Sequence, residues 1–353
     1  MKRIFMPLAA GFRMGVALRT AAYRRGWLAT RKLNRSVVSV GNLSVGGTGK
    51  TPFVAFLAEQ LMARGLKPGI LTRGYGRRSG ANLIAIEPGS GRAPDPREVG
   101  DEPALLARKL PEVPIVVGAD RYRAGLLAED KFKVDVHILD DGFQHFALAR
   151  DVDIVLLDVT QKLSDRELLP AGRLREPLSA LTRAHFVVIT RTELADPEPL
   201  EEQVRRINPQ AKIFRSSTKL LALRDVASGE LISLSAIRDK PVHAFCGIGN
   251  PTAFFANLET WGFSVISKEK HRDHHRYADN DDLLVVELVM MAEEGVSARV
   301  NAQITTEKDA LKLQHFKKSA LPIFACVIQL EMTEADAFEG ALLERLGTLK
   351  VNV

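Results

Sequence analysis

Val37-Val38-Ser39-Val40-Gly41-Asn42-Leu43-Ser44-Val45-Gly46-Gly47-Thr48-Gly49-Lys50-Thr51 is an apolar run closing on a glycine-rich turn, and residues 52–61 continue it with a helical pattern. Strand, turn and helix in that order read as a triphosphate cradle. Gly46, Gly47 and Gly49 leave backbone N–H groups free to wrap anionic oxygens, Lys50 has the reach for the β and γ phosphates, and the Thr51 hydroxyl stands at a helix N-terminus where it can ligate Mg²⁺. Ser44 replaces the first glycine of G-x-x-x-x-G-K-[ST], with Val45 and Thr48 at variable positions. An ordinary glycine-rich turn would match the residues but not the strand before and the helix after. Residues 44–51 are therefore expected to hold nucleotide.

Strands and helices alternate beyond the turn. Apolar runs at 68–72, 115–117, 134–139, 154–158 and 186–190 read as strands, with helical patterns at 104–110 and 119–130. Continuous apolar runs belong to a parallel sheet covered on both faces. A second unit starts near Pro241: strands at 242–246, 263–267, 302–305 and 323–330, and helices ending at 258, 313 and 346. The expected fold is α/β, a P-loop NTPase-type doubly wound, mostly parallel sheet with a second, smaller α/β domain. Its parts are a basic head (1–35), a P-loop kinase-type domain (36–225) and a C-terminal domain (226–353).

With 353 residues, 46% of them hydrophobic, the chain can bury one large or two medium cores. Cys246 and Cys326 lie far apart with no C-x-x-C spacing, so both read as core residues, and a structural zinc is not expected. The net charge of +6 is local: residues 1–35 carry nine Lys and Arg and no acid, leaving −3 for the rest. On a helical wheel Phe5, Leu8, Phe12, Val16, Tyr23 and Trp27 share one arc flanked by Lys2, Arg13, Arg24 and Arg31, with Arg19 intruding. No run is long enough to span a bilayer. The head is expected to lie on an anionic membrane surface rather than pack on the core. Sparse aromatics and the acidic body exclude a nucleic-acid grip, so no nucleic acid is expected as partner.

Phosphoryl transfer needs a metal beside the phosphate oxygens, cations against developing charge, and a group that orients the acceptor. Asp140 and Asp141, at a strand end, suit the metal and the substrate; which of them touches Mg²⁺ is open at this stage. Asp101 opens a helix, as an N-cap or as a chemical group. His271, His274 and His275 cluster without thiol or Glu-x-x-His support, which favours acid/base or anion-binding work over zinc. Among Arg73, Arg77, Arg78, Arg121 and Arg123, we single out Arg73 and Arg121, beyond strand ends. Thr190, Arg191 and Glu193 follow a late strand where many P-loop folds hold the base.

Assembled, the chain resembles the tetraacyldisaccharide 4′-kinases of lipid A biosynthesis. The signatures are Val40-Gly41-Asn42 leading into the glycine turn, Arg73-Gly74-Tyr75-Gly76, Gly100-Asp101-Glu102-Pro103, Asp140-Asp141-Gly142-Phe143-Gln144-His145, Leu169-Pro170-Ala171-Gly172 with Leu174-Arg175-Glu176-Pro177, Asp273-His274-His275, and Thr305-Thr306-Glu307-Lys308-Asp309. The resemblance implies transfer of the γ-phosphate of ATP, with Mg²⁺, to the 4′-hydroxyl of a membrane-embedded acylated glucosamine disaccharide 1-phosphate. It implies a peripheral enzyme on the cytoplasmic face of the bacterial inner membrane, with no obligate protein partner. By motif position Asp101 is the catalytic carboxylate, His274 its partner (His275 being the alternative), Lys50 catalytic, and Thr51 and Asp140 the metal ligands. Tyr75, Asp141, Gln144 and Glu176, with Arg73 and Arg121, fall to the substrate. The competing readings are another membrane-associated P-loop NTPase: a nucleotide switch, a metal chaperone or an ATP-dependent ligase.

Overall fold

Strands made almost wholly of Val, Ile and Leu bury every residue only if both faces of their sheet are covered. The computed structural model, which describes residues 2–91, 94–161, 167–275, 277, 289–291, 297–313 and 321–347, has that architecture. Its elements in chain order are α1 (Lys2–Arg24), β1 (Ser36–Asn42), α2 (Lys50–Ala63), β2 (Pro68–Thr72), β3 (Leu83–Ile86), α3 (Pro96–Val99), α4 (Asp101–Lys109), β4 (Ile115–Gly118), α5 (Arg121–Phe132), β5 (Val136–Asp140), β6 (Val152–Asp158), β7 (Phe186–Thr190), α6 (Glu198–Ile207), β8 (Lys212–Asp225), β9 (Leu231–Ile232), β10 (Pro241–Cys246), α7 (Pro251–Thr260), β11 (Ser264–Lys270), β12 (Val289–Met291), β13 (Ser297–Arg299), β14 (Ala302–Thr306), α8 (Glu307–Leu313), β15 (Ile323–Met332) and α9 (Ala335–Leu346). Each residue of β2, β5, β6 and β7 is buried.

One sheet runs β3-β4-β2-β5-β1-β6-β7-β8-β15-β14-β10-β11, with β9 on β8, while β12 and β13 form a separate antiparallel pair. The first half is parallel except at the β3 edge. β1 is flanked by β5 and β6, so the glycine turn that follows it opens at a switch point of the sheet, where α/β folds bind ligands.

β8 welds the halves. Its start, Lys212 to Ser216, pairs parallel with β7, and Ser216 to Asp225 pairs antiparallel with β15. The helix expected to complete the smaller unit instead fills the core of the larger: Phe338 of α9 is fully buried, its ring 5.8 Å from Phe53, 5.9 Å from Phe186 and 5.2 Å from Phe214. The 225/226 division thus separates stretches of chain, while α9 crosses back because one face of β6 and β7 needs an apolar cover. Cys246 and Cys326 are buried and free.

α1 ends at Arg24, so Trp27 belongs to the following turn and not to the helical arc. Phe5, Leu8 and Phe12 are exposed, and contact with the body is made at the helix end, where Tyr23 stacks on Phe146 at 5.6 Å. Arg19 lies over that same Phe146 ring, which accounts for a cation within the apolar arc. Among the described residues no helix is long and apolar enough to cross a membrane.

Candidate active site

Gly46 (φ 120°) and Gly49 (φ 83°) take backbone conformations that residues with a Cβ rarely adopt and so shape the turn. Donors around it hold its carbonyls. Thr190 Oγ1 donates to the Thr48 carbonyl at 3.1 Å, Arg191 to the Gly47 carbonyl at 2.9 Å, and Arg173 to the Val45 carbonyl at 3.0 Å. Asn42 Nδ2 donates to the Thr48 hydroxyl at 2.9 Å. With carbonyls engaged, an anion at the turn meets N–H dipoles, and Gly49 offers α2 no side-chain cap to compete for them.

The turn opens into a cavity of about 840 Å³ lined by Val45 to Pro52, Arg73, Tyr75, Asp140, Asp141, Arg175, His274 and Lys308, among others. Asp140 is buried and accepts from Thr72 Oγ1 at 3.0 Å. Burial first, then the carboxylates of Glu102 and Asp141, push its carboxyl up to about 7. Asp141 differs: against the cost of desolvation, Lys50 at 3.4 Å and Arg175 at 2.7 Å hold it below the usual carboxylate range.

Gly100, not Asp101, is the N-cap of α4. The Asp101 side chain is thereby free for His274, whose Nδ1 lies 3.1 Å from its Oδ2. Burial raises the pKa of this carboxyl, but the hydrogen bond from His274 and the ammonium groups of Lys312 and Lys308 outweigh it, and the net shift is downward. His274 adopts φ 61°, with its N–H on the Gly247 carbonyl at 3.2 Å, and its ring sits 5.3 Å from that of Tyr75. His275 turns the other way, stacking on His271 at 4.4 Å, so the structure brings His274 and not its neighbour to Asp101. Arg276 of the same cluster lies outside the described residues.

Other expectations meet different surroundings. Ser44 leaves the lining and donates to Gln161 at 3.0 Å. Arg191, paired with Asp158, braces the turn. The Glu193 oxygens are buried without a hydrogen-bond partner among the described residues, away from the lining. Arg121, Gln144 and Glu176 also stay out of the cavity lining. Arg121 donates to the Gly118 and Ala119 carbonyls at 3.0 Å, Gln144 to the Asn42 carbonyl at 2.9 Å, and Glu176 accepts from Arg183 at 2.9 Å. Strand-end position foretells where a backbone emerges, not which neighbour claims the side chain. Sequence reasoning missed Arg175, Lys308, Lys312 and Asn250. Arg175 and Lys308 stood in quoted motifs without a role, and the Lys308/Lys312 spacing, one helical turn, was the available signal.

A family model described as Tetraacyldisaccharide-1-P 4'-kinase matches residues 1–347. The chain belongs to this family. A tetraacyldisaccharide 4'-kinase of Koribacter versatilis is 42% identical over 94% of this chain and 95% of its own length, and one of Geobacter sulfurreducens is 37% identical over 95% and 90%. The crystal structure of the "apo" form of LpxK from Aquifex aeolicus, in complex with ATP, superposes with a TM-score of 0.77 at 33% identity, covering 98% of this chain and 99% of that one.

Proposed function

We propose that this chain transfers the γ-phosphate of ATP to the 4′-hydroxyl of an acylated glucosamine disaccharide 1-phosphate, working from a membrane surface. The observation that carries the proposal is the convergence on one cavity of the glycine turn and His274, whose ring holds Asp101 at 3.1 Å just behind the cavity lining, elements far apart in the chain. The turn amides and Lys50 hold the triphosphate. Asp101, kept ionised by its neighbours, accepts the proton of the hydroxyl as the bond to phosphorus forms, and His274 fixes the carboxylate's direction. Since charge in a loose transition state sits on phosphoryl oxygens, Lys50, Arg175 and Arg73 on the cavity wall contribute mainly by neutralising it.

Asp140 and the Thr51 hydroxyl fit Mg²⁺: hard oxygen donors, one of them a carboxyl that burial first, and then the Glu102 and Asp141 carboxylates, make costly to ionise unless a cation is near. Held by these donors, Mg²⁺ would supply charge neutralisation to the triphosphate. The exposed Phe5, Leu8 and Phe12 on a helix without acids support peripheral attachment at the cytoplasmic face of the inner membrane, where an acylated substrate must stay. No observation favours a switch or a ligase. Incubation with γ-labelled ATP, Mg²⁺ and acylated disaccharide 1-phosphate tests the proposal: label enters lipid with the native chain and not with Lys50→Ala, and an unlabelled lipid fraction from active, ATP-bound protein would reject it.

A further inference from the structure

Lys308 and Lys312 stand one turn apart on α8 and face the dyad together. The Lys312 ammonium lies 3.5 Å from Asp101 Oδ2 and 3.0 Å from Asp309 Oδ1. The Lys308 ammonium lies 3.5 Å from His274 Nε2, 3.2 Å from Asp273 Oδ1 and 3.9 Å from Glu102 Oε1. Burial opposes the charge on Lys308, yet Glu102, Asp273 and Asp101 together hold its pKa above the ordinary value. An ammonium has donors only.

Charged groups of both signs face His274. Asp101 from α4 meets Nδ1, Asp273 of the ring's own loop lies 3.8 Å from Nε2, Lys308 of α8 lies 3.5 Å from Nε2 and Tyr75 contributes a neutral ring face, while Glu102 and Lys312 stand behind, on Lys308 and Asp101. The Lys308 ammonium reaches both Nε2, at 3.5 Å, and Asp273 Oδ1, at 3.2 Å, so that it competes with that carboxylate for Nε2. We propose that Lys308 is a positioning residue: its ammonium on Nε2 fixes His274 as the neutral Nδ1–H tautomer, which donates to Asp101 and leaves that carboxylate free to receive the acceptor proton. The inference rests on the kinase reading for its consequence, but not for its test of the ring itself.

In the ¹⁵N-histidine spectrum of the full chain, with His274 assigned through His274→Gln, Nε2 carries no proton at neutral pH. In Lys308→Met both nitrogens carry one, and in Lys308→Arg the native pattern returns. In labelled-lipid assays Lys308→Met lowers kcat about tenfold or more at neutral pH. The acid limb of its kcat profile moves to higher pH, so the loss shrinks in alkali, and KM for ATP is unchanged. An unaltered ring spectrum in Lys308→Met overturns the inference. So does a raised KM for ATP with an unmoved acid limb, which would place Lys308 on the phosphates. Absence of lipid labelling by the native chain would instead reject the kinase reading, leaving the spectrum to decide the tautomer.

Discussion

Gly249 lies against the phosphate turn so closely that a Cβ there would stand 2.3 Å from the Gly47 nitrogen. The loop between β10 and α7 is thereby a wall of the cavity at that turn. Asn250 secures it, capping α7 through its carbonyl oxygen while its amide donates to Asp158 at 2.8 Å. Because the clash partner is backbone, Gly249→Ala must displace the wall. We predict a fall in kcat/KM for ATP of about tenfold to a hundredfold, the scale of a 1 Å misplacement, with an unchanged far-UV spectrum. Native kcat/KM in this variant would detach the loop from the site.

The 3.1 Å contact between Asp101 and His274 predicts a strongly non-additive cycle. Asp101→Asn and His274→Gln each lower kcat by about 10²-fold or more. The double variant is little worse than the poorer single one. Losses that multiply would mean that the two residues act separately.

His145 is held near pKa 4, below its ordinary 6.5, by burial first and then by the cations Arg121, Arg150 and Arg19. Between those values the unfolded chain binds the proton and the folded chain does not, so acid favours unfolding. The penalty is absent above about pH 6.5 and grows as pH falls toward about 4. We predict that melting temperature drops more between pH 7.5 and pH 5 in the native chain than in His145→Gln. Parallel drops would contradict the assignment.

Phe338 is fully buried among Phe53, Phe56, Phe186 and Phe214, where its loss leaves a cavity that rigid strands cannot close. Denaturant unfolding of Phe338→Ala is expected to show a loss of about 3–5 kcal/mol. A loss under 1 kcal/mol would mean that α9 is not part of this core.

For α1, vesicle sedimentation decides. The chain is expected to sediment with vesicles rich in anionic lipid, less with neutral ones and less at high salt. The double variant Leu8→Glu, Phe12→Glu should stay in the supernatant. Equal binding by that variant would remove the helix from the attachment.

Much of this was legible in sequence because it is local. A strand, a glycine turn and Gly-Lys-Thr are consecutive, so the strand–turn–helix unit follows from residues 37–61 alone, and full burial of β2, β5, β6 and β7 follows from their apolar runs. Side-chain commitments were not local. Arg121, Gln144 and Glu176 looked available for substrate, yet each is claimed by a carbonyl or ion-pair partner that only folding brings near. His274 and His275 are chemically identical neighbours, and the left-handed backbone at 274 sends one ring to Asp101 while the other stacks on His271. By itself, then, the order of residues determined that this is a mostly parallel α/β chain with a glycine turn between its first strand and the helix that follows. Which imidazole meets the aspartate, which lysines face it, and that α9 returns to the first core were settled by long-range packing, since contacts between residues far apart in the chain leave no periodic trace along it.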